Sequence, residues 1–322
     1  MKELKWAILG PGRIAAEFAD AIHAAGGTIY AAGSRNLGRA KAFTEQHHIE
    51  KAYGSYDEML ADPDIDVIYL STPHSSHYAY LLKSLRHGKH VLCEKAITVS
   101  SRQLDPVVRL AEEKGLIVAE AMTIFHMPLY RKLREIINSG KIGTVKMVNV
   151  TFGSLKPYDV RNRFFSKDLA GGALLDIGTY ALSFVRSFLS SQPDQVLTAV
   201  KKFETGVDES SGIILKNKDH EMATVTLTMR AKLPKRGIVT GDRAYITVDN
   251  FPRADQATLT YPDGKVETIE AGSTAHAMVY EFNDMNAAVR GERVEKTLPL
   301  TRDVVDIMTQ VRDQWGIRYP FE

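Results

Sequence analysis

Cysteine is nearly absent from this sequence: Cys93 is the one thiol in 322 residues. One thiol closes no intramolecular disulfide and cannot furnish a Cys-rich zinc site. A reducing, cytoplasmic setting is the expectation. Long apolar runs are missing as well. The run 6–9 is too short for a signal-peptide core, and no stretch approaches the ~18 apolar residues of a spanning helix. Nor is one charge in excess: 41 Lys and Arg face 39 Asp and Glu, a net +2. Neither a nucleic acid nor a membrane is therefore expected as a partner. There is no internal repeat, no Gly-x-Ser-x-Gly elbow for a hydrolase, and no activating neighbour for Cys93 beside Glu94. The rest is ordinary for a globular chain, 44% hydrophobic and 25% charged, with length for roughly two domains.

The first 120 residues alternate short apolar runs with amphipathic stretches. Residues 6–9, 28–33, 66–71, 90–93 and 116–120 read as strands. Between them, 14–25, 37–47, 78–87 and 101–114 read as helices, the last two closed by Gly88 and Gly115. Such alternation argues for βαβ units and a parallel sheet. The pattern changes after about residue 122. Residues 145–152, 196–203, 212–215, 222–229, 236–240, 244–248, 257–261 and 266–269 are strand-like. Short turns such as Pro262-Asp263-Gly264 join the later ones, which argues for antiparallel pairing. Helices are expected over 129–138, 174–189, 279–290 and 302–315.

The strongest local signal is Gly10-Pro11-Gly12-Arg13-Ile14-Ala15, between the first strand and the first helix. It matches G-x-G-x-x-G/A in the context a dinucleotide site requires. Gly10 permits the tight turn, and Gly12 lets a pyrophosphate approach the main chain. Ala15 is small enough for close helix–strand packing. The first helical amides, at Arg13 and Ile14, then point at the anion. Ser34 stands at the end of the second strand, where an NAD-preferring fold usually has Asp or Glu. Arg35 follows and Arg39 is close behind. A hydroxyl beside guanidinium groups suits a 2′-phosphate. NADP(H) is the expected cofactor and NAD(H) the other candidate. The competing reading of the two arginines is a solvated helix face.

Ligands of parallel sheets bind at the carboxyl ends of the strands. Three stretches stand there: 71–77, with Thr72, Pro73, His74 and His77; Cys93-Glu94-Lys95-Ala96; and 119–122. A lysine leaving a buried strand beside a cofactor can donate to a substrate oxygen. Alone, Lys95 would read as a surface ion pair. His74 and His77, without an acid cluster, make a poor zinc signature, and no metal is expected. They read as a cofactor loop, with His74 near the nicotinamide ribose.

The loop at 10–15, the Thr72-Pro73 step, the Glu94-Lys95 pair and the run 169–180 share their order and spacing with a known family. Over nearly its whole length the chain resembles the glucose–fructose oxidoreductase / inositol dehydrogenase / MocA family. The ending Asp176-Ile177-Gly178-Thr179-Tyr180 is most similar to the dihydrodiol-dehydrogenase-like branch. The fold so implied is α/β. A Rossmann domain with a parallel sheet spans 1–122, and an α+β domain with a large open, mainly antiparallel sheet spans 123–322. The resemblance also implies roles. Lys95 would polarise the reacting oxygen, Asp176 position the substrate, Tyr180 transfer the proton, and Arg163 reach the cofactor or substrate.

The residues themselves agree in part. Asp176 and Tyr180 share a face if the segment is helical. Tyrosine ordinarily titrates near pH 10, and a neighbouring ammonium or a cationic nicotinamide lowers that. Taken singly, Asp176 also reads as a helix cap and Tyr180 as a core aromatic. One departure stands out: Ala96 occupies the family's proline position. A non-proline cis peptide costs about 2.5–4 kcal/mol, so a trans Lys95–Ala96 bond is expected. The expected protein is an NADP(H)-dependent oxidoreductase acting on a sugar, polyol or cyclic diol. It is expected to pair as a homodimer or homotetramer through the C-terminal sheet. The alternative is a non-catalytic dinucleotide-sensing regulatory protein on the same scaffold.

Overall fold

The structure is a computed structural model that describes residues 3–322. The chain divides into two compact units. The first holds residues up to Thr98, Arg102–Ala121 and Met278–Leu298; the second holds Val99–Ser101, Met122–Ala277 and Pro299–Glu322.

The early elements are β1 (Trp6–Leu9), α1 (Arg13–Ala24), β2 (Ala31–Gly33), α2 (Leu37–Gln46), β3 (Lys51–Tyr53) and α3 (Tyr56–Ala61). They continue with β4 (Val67–Leu70), α4 (His74–Arg86), β5 (His90–Glu94), α5 (Ser101–Lys114) and β6 (Val118–Ala121). All six strands run parallel in the order β3-β2-β1-β4-β5-β6. The order reverses between β1 and β4, the switch point at which such sheets bind ligands. Every residue of β1 and β4 is buried, as in a parallel sheet covered on both faces. Phe18 of α1 stacks on Tyr69 of β4, ring centroids 3.8 Å apart. Two elements, β3 and α3, were not expected. α4 starts at His74, directly after Pro73, and not near residue 78.

The second unit begins with α6 (Thr123–His126), α7 (Pro128–Asn138) and β7 (Val145–Gly153). A π-helical turn, Leu174–Gly178, runs into α8 (Thr179–Phe188). Seven strands follow: β8 (Pro193–Lys202), β9 (Asp208–Asn217), β10 (Met222–Thr228), β11 (Leu233–Gly241), β12 (Tyr245–Asp249), β13 (Gln256–Thr260) and β14 (Val266–Glu270). The sheet order is β14-β13-β12-β11-β7-β10-β9-β8, antiparallel except where β7 meets β10.

The two-residue period of a strand sorts this sheet into two faces. Val148, Val150, Leu215, Val225, Ile246 and Leu259 are buried. Tyr130 of α7 packs against Phe184 of α8, their rings nearly perpendicular. The other face carries Leu197, Ile214, Thr224, Asn149, Ile238 and Thr247 in one register row. Leu197 is 67% exposed and Ile214 44%.

Helix α9 (Ala277–Val289) takes the chain back to the first unit. Phe282 packs 4.8 Å from the Trp6 ring, and Trp6 Nε1 donates to Asn286 Oδ1 at 2.9 Å. Met278 and Met285 are buried in the same core. The final helix, α10 (Leu298–Trp315), joins the second unit from Pro299 on. There Trp315 Nε1 donates to Thr198 Oγ1 of β8 at 3.1 Å. Among the described residues no helix is long and apolar enough to cross a membrane.

Candidate active site

In the first unit the loop after β1 forms a cradle. Gly10 has φ +103°, and a Cβ there would stand 2.8 Å from Thr72 Cγ2. The loops after β1 and β4 therefore touch, and Ser71 Oγ donates to Gly10 O at 3.0 Å. Gly12 is different. A Cβ built on it would meet nothing within 4 Å, so the space in front of α1 is open. No side chain caps α1, and its first turn holds no acid. The amides at Arg13 and Ile14 are thus left for an anion at the positive end of the helix. This is the geometry a dinucleotide pyrophosphate requires.

At the end of β2, Ser34 is buried and its Oγ accepts from Asn36 N at 3.3 Å. Asn36 Oδ1 caps α2 by accepting from Arg39 N at 3.0 Å. Arg35 and Arg39 are both exposed. Both bear on Tyr56, whose phenol is raised by burial and by Tyr80 while the two arginines pull it down. Among the described residues neither forms an ion pair, and no carboxylate occupies the ribose position. The donors fit a 2′-phosphate.

Lys95 leaves the end of β5 on a braced loop. Glu94 accepts a hydrogen bond from Tyr69 Oη. The Lys95–Ala96 bond is cis, against the expected trans. The side chains around it engage its polar atoms. His74 Nε2 lies 3.0 Å from Lys95 O and 3.3 Å from Ala96 N. His77 Nδ1 lies 2.9 Å from Ala96 O, and its Nε2 lies 2.7 Å from Thr72 O. Ile97 N donates to Glu120 Oε1 at 3.0 Å. His77 is fully buried with both ring nitrogens on main-chain oxygens. Its visible work is to tie the Thr72 and Ala96 loops together. Glu120, which sequence reasoning placed at a strand end without a role, is the third brace. Cys93 beneath them is fully buried; burial first, then Glu120 and Glu94, push its thiol well above its ordinary range.

Asp176, Tyr180 and Arg163 belong to the second unit. Asp176 is buried and sits in the π-helical turn, where a regular α-helix was expected. Arg163 Nη2 lies 3.5 Å from Asp176 Oδ1, and the guanidinium covers the Phe164 ring at 4.2 Å. Arg163, expected to reach the cofactor or substrate, is thus placed at the Asp176 carboxylate. Tyr180 lies in the first turn of α8, half-buried, 6.5 Å from the Phe152 ring. It lines a cavity of about 630 Å³ with Phe152, Lys235, Asn250, Pro252 and Arg253.

One residue of this segment carried no sequence signal. Asp208 is fully buried, and its Oδ2 accepts from Leu174 N at 2.6 Å. It caps the turn that carries Asp176. Burial pushes its carboxyl up to about 6, against the pull of the Leu174 and Ala173 amides and the Arg312 charge.

Residues 4–122 match the oxidoreductase family with an NAD-binding Rossmann fold, and residues 130–247 match the GFO/IDH/MocA C-terminal domain. The chain belongs to the GFO/IDH/MocA family. Among its curated relatives, a trans-1,2-dihydrobenzene-1,2-diol dehydrogenase of Xenopus laevis is 32% identical over 332 residues, covering 98% of this chain and 99% of the relative. A D-xylose 1-dehydrogenase (NADP(+)) of Hypocrea jecorina is 31% identical, covering 98% and 93%. Among solved structures, a 3-ketoreductase from Actinomadura kijaniata in complex with NADP and TDP-benzene aligns with TM-score 0.86 at 22% identity, over 97% and 98% of the two chains. A levoglucosan dehydrogenase in complex with NADH and levoglucosan aligns at 0.89 with 17% identity, over 98% of each. These structures show a shared fold. In this GFO/IDH/MocA chain the Lys95 loop is braced by His74, His77 and Glu120.

Proposed function

We propose that this GFO/IDH/MocA protein is an NADP(H)-dependent oxidoreductase that interconverts an alcohol and a carbonyl on a sugar, polyol or cyclic diol. The observation that carries the reading is the Lys95 loop. A dinucleotide-binding unit has no structural need to brace one lysine with two histidines and a buried glutamate.

Gly10, Gly12, Arg13 and Ile14 hold the pyrophosphate, and Ser34, Arg35 and Arg39 the 2′-phosphate. Thr72 and Pro73 line the nicotinamide end, while Glu94, His74 and His77 keep their loops in place. When bound, the nicotinamide gives or accepts the hydride. Lys95 Nζ donates to the reacting oxygen, and Tyr180 Oη gives or takes its proton. Asp176 accepts from a neighbouring substrate hydroxyl, and Arg163 steadies that carboxylate. Dihydrodiol and xylose dehydrogenases among the relatives support the substrate class, and the NADP(+)-named one supports the cofactor.

Titration with NADPH and NADH, followed by nicotinamide fluorescence, tests the cofactor. NADPH is expected to bind more tightly; equal binding or an NADH preference overturns the 2′-phosphate assignment. Arg35→Ala should weaken NADPH about tenfold to a hundredfold, the loss of one charge-assisted phosphate contact. NADH affinity should stay within about twofold, because that contact is absent. An Arg35→Ala protein that still prefers NADPH removes Arg35 from the site. Turnover screening of diols and aldoses then tests the reaction itself.

We also assign self-association, as a dimer or tetramer in the cytoplasm, to the open face of the eight-stranded sheet. Leu197, Ile214, Tyr245 and Val266 are exposed there, an apolar content unusual for a solvated sheet face.

A further inference from the structure

Beside Tyr180 the cavity of the second unit is lined by two cations and two acids. Lys235 on β11 and Arg253 beyond β12 both line it. Lys235 Nζ sits 5.2 Å from the Phe152 ring centroid, and the Tyr180 ring lies 6.5 Å from that same centroid. One aromatic ring thus connects ammonium and phenol. Lys235 is half-buried, and its ammonium is pushed below its ordinary range by burial first, then by Lys232, Lys156 and Arg253. All the charged neighbours acting on it are cations. Among the described residues neither Lys235 nor Arg253 forms an ion pair. Each acid of the cavity has a partner other than Lys235 and Arg253. Asp249 takes a two-pronged pair from Arg236 at 2.7 and 2.9 Å, and Asp255 Oδ2 accepts from Thr274 N at 2.9 Å. Like charge gathered in a partly dry cavity is unfavourable by itself. It becomes favourable when an anion enters, and an apolar wall such as Phe152 strengthens that attraction.

We propose that the substrate carries a fixed negative charge, a carboxylate or a phosphate, held by Lys235 and Arg253 while its reacting carbon lies at Tyr180. The inference rests on the oxidoreductase reading and narrows it. A guanidinium fork and an ammonium together suit either oxyanion. Neutral diols and aldoses offer this pair nothing to bind.

The test compares a neutral aldose, its uronate and its 6-phosphate, with NADP(+), on wild type, Lys235→Met and Lys235→Arg. The charged sugars should exceed the neutral one in kcat/KM by at least about tenfold, the difference residing in KM. Lys235→Met should bring that ratio towards one, and Lys235→Arg should retain most of it. Whichever charged sugar is preferred identifies the oxyanion. In parallel, the charged sugars should raise the melting temperature of the NADP(+)-loaded wild type and not of Lys235→Met. Equal use of charged and neutral sugars, or an equal loss for both in Lys235→Met, overturns the inference and leaves the oxidoreductase reading standing. Selective stabilisation without turnover of any sugar supports the charge reading and counts against the reaction. Neither turnover nor selective stabilisation overturns both.

Discussion

Lys95→Met should lower kcat/KM by about 10²–10⁴-fold, the usual weight of a group that handles a proton or polarises the reacting oxygen. NADPH binding should survive. Methionine keeps the length of the lysine stem and removes only the ammonium. The bonds that brace the loop run from His74, His77 and Glu120 to main-chain atoms of Lys95, Ala96 and Ile97, so the substitution leaves them in place. Tyr180→Phe should cost a similar factor, because the ring keeps its contact with Phe152 and only the hydroxyl goes. Steady-state rates and a fluorescence titration of NADPH, made on the same preparations, check both. Full turnover in Lys95→Met removes the lysine from the chemistry. Lost turnover together with lost NADPH binding points instead to a collapsed loop, which a His77→Ala protein should reproduce. A non-catalytic dinucleotide sensor would have no turnover to lose, and no structural observation favours that reading.

The sequence made the cofactor half legible because its rules are local. A glycine turn between a strand and a helix is a property of six consecutive residues, and β1 and α1 appear where that pattern puts them. The alternation of apolar and polar residues likewise announced β7, and a strand-like run announced β10. What was missed depends on distant contacts. β3 is three half-buried residues long, too short for any period. α4 starts with polar residues, and the partners of His74 and Ser76 lie in the Lys95 and Thr72 loops. An apolar stripe says that α9 packs, and does not say on which core. Trp6 and Asn286 are 280 positions apart, and only the fold brings them together. Asp208 is the sharpest case. In sequence it is one acid after a turn, and its burial against Leu174 is created entirely by the fold.

That buried acid and the glycine facing it make the other large prediction. Gly172→Ala should destabilise the protein by about 2–4 kcal/mol, combining a left-handed backbone with overpacking. Gly172 has φ +116°, and a Cβ there would stand 2.1 Å from Asp208 Oδ1. Asp208→Ala in the same chain should recover part of that loss by removing the clashing atom, leaving the backbone cost. Two strictly additive losses, measured by denaturant unfolding, would show that the two residues do not press on each other. Asp208 also has a pH signature. Burial raises its carboxyl from the ordinary 3.8 to about 6 in the folded protein. The folded state therefore binds this proton more tightly than the unfolded state does. The stabilisation is complete below about pH 4 and is lost as pH rises through about 6, a loss of at most about 3 kcal/mol. Asp208→Asn keeps an acceptor for Leu174 N and cannot ionise, so it should remove this group's share of the slope. It should also be the more stable protein near pH 7. If Asp208→Asn is instead less stable by the same amount at both ends of that range, the carboxyl stays ionised. The Leu174 and Ala173 amides would then outweigh burial, and the anion itself would anchor the turn that carries Asp176.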